Sequence, residues 1–157
     1  MADSVEKYLQ DSGYSNEYKS GFSAIKNEYR PKIKVQNPRH LAGSMDIDKA
    51  CQKGEPTAPR WDYLVAVRKN DIENLALIEV HGAEKSGEVD VLIKKKEWLT
   101  RWLSRAGLTH FKKKFIWLST GSIKITAQSK YAKKLALSGI SFPMSVTPPL
   151  DTKVEYN

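Results

Sequence analysis

Two apolar runs of strand length sit close together near the middle of the chain. They are RWDYLVAV (60–67) and NLALIEVH (74–81), joined by RKNDIE. Asn70-Asp71 lies at the centre of the joint, and that pair predicts a two-residue hairpin turn. GEVDVLIKKKEWLTRWLSRAG (87–107) follows with apolar residues at helical spacing, closed by Gly107. Upstream, Tyr18, Phe22, Ile25 and Tyr29 form one stripe in SNEYKSGFSAIKNEYRP (15–31). Ser15 as N-cap and Pro31 as terminator predict a first helix there. HLAGSMDID predicts a short strand, and DKACQKGEPTAP a helical turn and loop with Asp48 as cap. Downstream, KKFIWLST and SIKIT predict two strands about Gly121, and SKYAKKLALSG a helix between Ser129 and Gly139. Pro143 limits ISFPMSVTPP to an edge strand or extended segment, and the last residues are expected to be loose. The fold class is α/β, a single domain over 1–157. Its mixed β-sheet carries a central hairpin and is flanked by helices that each cover it with one apolar stripe.

Closing the hairpin about Asn70-Asp71 places Leu64 opposite Leu77 and Asp62 opposite Glu79. Alternation puts Glu79 and His81 on the same face as Leu75 and Leu77. Two carboxylates directly opposed repel each other, and burying one unpaired is costly. Either a shared divalent cation resolves this, or Glu79 pairs with Arg60 or a lysine. The long helix raises a related question. Its stripe runs Val91, Leu92, Trp98, Leu99, Trp102, Leu103, Ala106, and the position completing it between Leu92 and Leu99 is Lys95. A core-facing lysine needs an anionic partner or must snorkel to water. The helix follows the Glu79 strand closely enough for Lys95 to reach the two carboxylates. Glu28 borders the stripe of the first helix, as a further acid or as an ordinary exposed one.

The net charge is +8, which favours an anionic partner or a solubilising surface. Lysine triplets with aromatic flanks, IKKKEW and FKKKF, offer Lys94, Lys96, Lys112, Lys113 and Lys114 as phosphate contacts. Asp46 and Asp48 are a rival acidic pair, or a turn and a cap. Cys51 is the only cysteine, which excludes an intrachain disulfide and a Cys-pair zinc site. His40 and His110 have no ligand spacing with His81. No glycine-rich phosphate loop or Ser-His-Asp arrangement stands out. The N-terminal segment lacks a signal-peptide core, and no apolar run is long enough for a bilayer. The expected compartment is reducing and cytoplasmic, with no membrane partner.

The element order, with Asp62 in PRWDYL and Glu79 in IEVHG, resembles the core of the PD-(D/E)XK nuclease superfamily, the restriction-endonuclease-like fold. The likeness covers about residues 15–120, with 121–157 a C-terminal extension. It implies a divalent-metal-dependent nuclease acting on DNA or RNA. Asp62, Glu79 and the backbone carbonyl of Val80 would hold Mg²⁺ or Mn²⁺, and a homodimer is common among such proteins. The superfamily's lysine two residues after the Glu is His81 here. In some members that lysine moves to the following helix, where Lys95 stands. If it has not moved, the resemblance implies an inactive nucleic-acid-binding or protein-interaction module on the same fold.

Overall fold

The hairpin turn organises the sheet. Asn70 and Asp71 both adopt positive φ, 53° and 63°, the left-handed backbone that Asn and Asp tolerate and that matches strand twist. Strands β3 (Tyr63–Lys69) and β4 (Ile72–Ala83) close on this turn, with Leu64 paired to Leu77 and Tyr63 to Ile78. The structure is a computed structural model and describes residues 3–157. On the far side of β3 lie β2 (Leu41–Asp46) and the two-residue edge strand β1 (Tyr18–Lys19), both antiparallel. Helix α3 (Glu88–Arg105) carries the chain over to β5 (Lys113–Ile123), which pairs with β4 in parallel. The sheet is therefore mixed, five strands in the order β1-β2-β3-β4-β5. Three further helices accompany it: α1 (Val5–Asp11), α2 (Ile47–Cys51) and α4 (Lys130–Leu137).

Each face of the sheet has its own core. Leu64, Ala66, Leu75 and Leu77 meet Trp98, Leu99 and Trp102 of α3 and Val5 and Leu9 of α1. On the opposite face, Tyr63, Val65, Ala76 and Ile78 meet Ile25, Ile33 and Leu150. A third cluster joins Val89 and Leu92 of α3 to Trp117 of β5 and Leu135 of α4. Val89 rather than Val91 belongs to the buried stripe; Val91 is 40% exposed, one residue out of phase.

Several expected elements differ. Residues 20–33 form no α-helix. They run through i→i+3 turns, Ser23 to Ser20, Ile25 to Phe22 and Tyr29 to Lys26. Such turns repeat every three residues, so they bury Ile25 beside Phe22 and Tyr29 as a helix would. Gly21 at φ 54° and the capture of Tyr18–Lys19 by β2 end any helical continuation. The first helix is instead α1, capped by Ser4, with the Val5 N–H donating to Glu73 Oε1 at 2.9 Å. Asp46, not Asp48, caps α2, accepting from the Lys49 N–H at 2.8 Å. KKFIWLST and the first two residues of SIKIT, Ser122 and Ile123, are one strand, with Gly121 at φ 79° inside it, and the rest of SIKIT lies beyond its end. The tail is tied down. Asn157 and Lys113 exchange two backbone hydrogen bonds, and Asp151 accepts from the Gln36 and Asn37 N–H groups and from His40. Ile140 and Met144, around Pro143, make single parallel bridges to β5. No helix among the described residues is long and apolar enough to cross a membrane.

Lys96 works inside this framework. Its Nζ donates to the Ser138 carbonyl at the end of α4 and lies 4.4 Å from the centroid of the Phe115 ring. Lys96→Ala is expected to cost about 1–2 kcal/mol, from one charged hydrogen bond and one cation–π contact. The melting temperature should then fall by about 2–6 °C. An unchanged melting curve would show that the ammonium adds nothing to the docking of α4.

Candidate active site

Asp62 precedes β3 by one residue, and its main chain is held from two sides. Its carbonyl accepts from the Ile47 N–H at the start of α2, at 2.8 Å. Its N–H donates to Glu79 Oε1 at 3.1 Å, while the Val80 N–H donates to Asp62 Oδ2 at 2.9 Å. Each carboxylate is thus clasped to the other strand's backbone, as the register carried one step beyond Tyr63–Ile78 requires. Asp62 Oδ1 makes no hydrogen bond among the described residues.

Glu79 is 0% exposed. Its Oε2 accepts from Lys95 Nζ at 2.5 Å. The Lys95 side chain is 19% exposed, so its ammonium is drawn into the protein and does not snorkel. Glu88, seven residues before Lys95, lies on the same stripe of α3 and bonds His81 Nε2. His81 Nδ1 stands 3.6 Å from Glu79 Oε2, an ion pair rather than a firm hydrogen bond. The Trp117 indole N–H donates to the His81 carbonyl at 2.9 Å and fixes that end of β4. One helix stripe therefore delivers Glu88 to His81 and Lys95 to Glu79 at the far end of β4.

The electrostatics follow from this crowding. Burial, and then the Glu79 charge, push the Asp62 carboxyl up to about 7. The Glu79 carboxylate raises the His81 ring; burial opposes it and Glu88 adds to the rise. Burial works to lower the Lys95 ammonium, but the charge and hydrogen bond of Glu79 outweigh it and hold the group above its ordinary value. For Asp62 the folded state binds its proton more tightly than the unfolded state. Its stability contribution is present below about pH 4 and is lost as pH rises through about 7. The metal-free Asp62→Asn variant should therefore gain on wild type as pH rises from 4 to 8, by up to a few kcal/mol. Urea midpoints at the two ends of that range check this. A constant difference would mean that Asp62 titrates normally.

Asp62 faces a recess of about 180 Å³, lined also by Lys26, Tyr29, Asp46, Asp48, Tyr63 and Val80. Asp48 accepts from Arg60 Nε at 2.8 Å, so the arginine offered as a partner for Glu79 is engaged elsewhere. Among the described residues no group of three or more His, Cys, Asp or Glu side chains is placed to hold a metal ion. Two carboxylates still meet the ordinary protein share of a Mg²⁺ site, which is completed by water and substrate phosphate.

Comparison with family models, curated proteins and solved structures gives no match.

Not every sequence candidate joins the site. Glu28 is exposed on the turn segment and does not line the recess, because that segment is not a helix. Its neighbours Lys26 and Tyr29 do. Lys94 and Lys112 are exposed, but Lys96 is committed to Ser138, and Lys113 Nζ donates to the Thr109 and Phe111 carbonyls at 2.8 and 2.6 Å. The parallel register sets Lys113 and Lys114 beside Leu75 and Ala76. Lys113 is thus four residues before Glu79, about 13 Å along the strand at ~3.3 Å per residue. Lys112–Lys114 therefore lie away from the carboxylates. Glu88 escaped the sequence reading, although its i, i+7 relation to Lys95 was the available signal.

Proposed function

We propose that the chain is a divalent-metal-dependent nuclease, hydrolysing phosphodiester bonds of DNA or RNA on a restriction-endonuclease-like core. The observation that carries this is the convergence of Asp62, Glu79 and Lys95. Two facing carboxylates on a hairpin receive an ammonium from the next helix. A helix, antiparallel strands, a long helix and a parallel strand, in that order, support the same reading.

Asp62, through its open Oδ1, and Glu79 would hold Mg²⁺ or Mn²⁺, with the Val80 carbonyl as a further ligand by resemblance. When bound, the ion supplies a water of lowered pKa and positive charge for the scissile phosphate. Asp62 must shed its proton to act as a ligand. Lys95 brings a fixed positive charge to Glu79, where it orients the attacking water or steadies the phosphorane. His81, between Glu79 and Glu88, takes the place of the lysine in the resembled motif as a second cation and a proton carrier.

One observation favours the second reading, a binding module without catalysis. Both Glu79 oxygens are already engaged, one by the Asp62 N–H and one by Lys95. Incubating the protein with labelled DNA and RNA in Mg²⁺, in Mn²⁺ and in EDTA separates the two. Cleavage in either ion that EDTA abolishes supports the nuclease. Salt-sensitive binding with no cleavage in either ion replaces it with the module.

A further inference from the structure

The recess that holds Asp62 does not stand alone. A cleft of about 660 Å³ lies beside it, between the 16–30 segment and α2. Lys26 and Asp46 line both, so the cleft and the recess adjoin. Resting on the nuclease reading, we propose that this cleft binds single-stranded nucleic acid and leads it to Asp62. Lys19, Lys26 and Lys49 contact the phosphates.

Charge is the first argument. Lys19, Lys26 and Lys49 line the cleft, are exposed, and form no ion pair among the described residues. Of the two carboxylates in the cleft, Asp46 is engaged by the N-terminus of α2. Glu17 is the other, so the lining stays net cationic. These lysines differ from Lys96 and Lys113, whose ammonium groups are bonded to backbone carbonyls.

Shape is the second. The volume falls in the range of ligand pockets, roughly 300–1,000 Å³, and suits a few flexible nucleotides. A duplex, whose major groove alone is ~12 Å wide, is too broad to enter and would rest across the mouth. Asn16 and Asn27 stand among the lysines, so amide groups are available to unpaired base edges. Tyr29, half-buried in the adjoining recess and packed edge-on against Tyr63, offers a ring for a base to stack on.

The wall is also built to keep its form. Arg30 Nε donates to the Ile25 carbonyl at 2.8 Å and its Nη2 to the Ser23 carbonyl at 3.2 Å. The Ala24 N–H donates to Ser44 Oγ of β2 at 3.2 Å. This explains why the 20–30 segment keeps an irregular path without a helix. A preformed cleft spares the ordering cost of binding.

The test measures binding without turnover. Fluorescence anisotropy in EDTA would compare a labelled single-stranded DNA, the same sequence as RNA, and a blunt DNA duplex, over a range of salt. Wild type should bind the single strands more tightly than the duplex. The Lys19→Ala/Lys26→Ala/Lys49→Ala variant should lose most of that affinity. Its slope of log K against log salt should flatten by about 2, at ~0.7 per lost contact. A control variant, Lys124→Ala/Lys133→Ala/Lys153→Ala, removes equal charge elsewhere and should keep the slope. Matching melting curves exclude misfolding as the cause. Preference for the duplex, or equal losses in both variants, would overturn the cleft. Cleft-dependent binding without cleavage in Mg²⁺ or Mn²⁺ would uphold the cleft and remove the nuclease reading.

Discussion

Asp62→Asn is expected to abolish metal-dependent cleavage and, without metal, to raise the melting temperature. The two effects share one cause. Asp62 is half-buried opposite Glu79, and its charged form is disfavoured enough to lift its carboxyl to about 7. Removing that charge relieves the fold and deprives a cation of its open oxygen. The loss of rate should be at least about 10²-fold, the scale of a group acting directly on the reacting centre. Glu79→Gln should also abolish cleavage, but with the opposite effect on stability. It leaves Lys95 drawn inward without the carboxylate it bonds, at a cost of about 1–3 kcal/mol, discounted because the lysine keeps some exposure. Paired rate and melting measurements on the two variants check both signs. Retained cleavage in either variant would count against the site.

Lys95→Ala carries the second large effect. Its ammonium is 2.5 Å from Glu79 Oε2, and no other lysine bonds either carboxylate among the described residues. The rate should fall by about 10²-fold or more, while affinity for nucleic acid in EDTA changes little. Lys94→Ala, on an exposed position one residue away, should leave the rate almost unaltered. His81→Ala should lie between them if the ring only supports Glu79, and should match Lys95→Ala if it has taken over the lysine's role. Equal, small effects from Lys94 and Lys95 would remove the catalytic role and favour the binding module.

The parts of this site that were legible in the sequence depend on short-range rules. Asn70-Asp71 sets the turn, the turn sets the register, and the register alone sets Asp62 against Glu79. The helical phase of Leu92 and Leu99 points Lys95 inward for the same reason. Where a local pattern fits two backbones, the sequence misleads. Phe22, Ile25 and Tyr29 suit a helix and a chain of three-residue turns equally, and the contact of Ala24 with Ser44 that favours the turns joins distant parts of the chain. The roles of Lys96 and Lys113 also depend on distant or backbone partners, which a lysine triplet does not disclose. The anchored tail has the same origin, since Asp151 meets its partners more than a hundred residues away. Helix α1, at seven residues, is too short to give a clear period, and its end is fixed by Glu73.

In the proposed nuclease, Asp62 and Glu79 form one cation site. Calorimetric titration of Mn²⁺ into the protein near pH 7 tests it without any substrate. The expected result is a single ion per chain, with affinity rising through pH 7 and proton release on binding as Asp62 ionises. Both should vanish in Asp62→Asn. Undiminished Mn²⁺ binding in that variant, or none by wild type at millimolar ion, would contradict it.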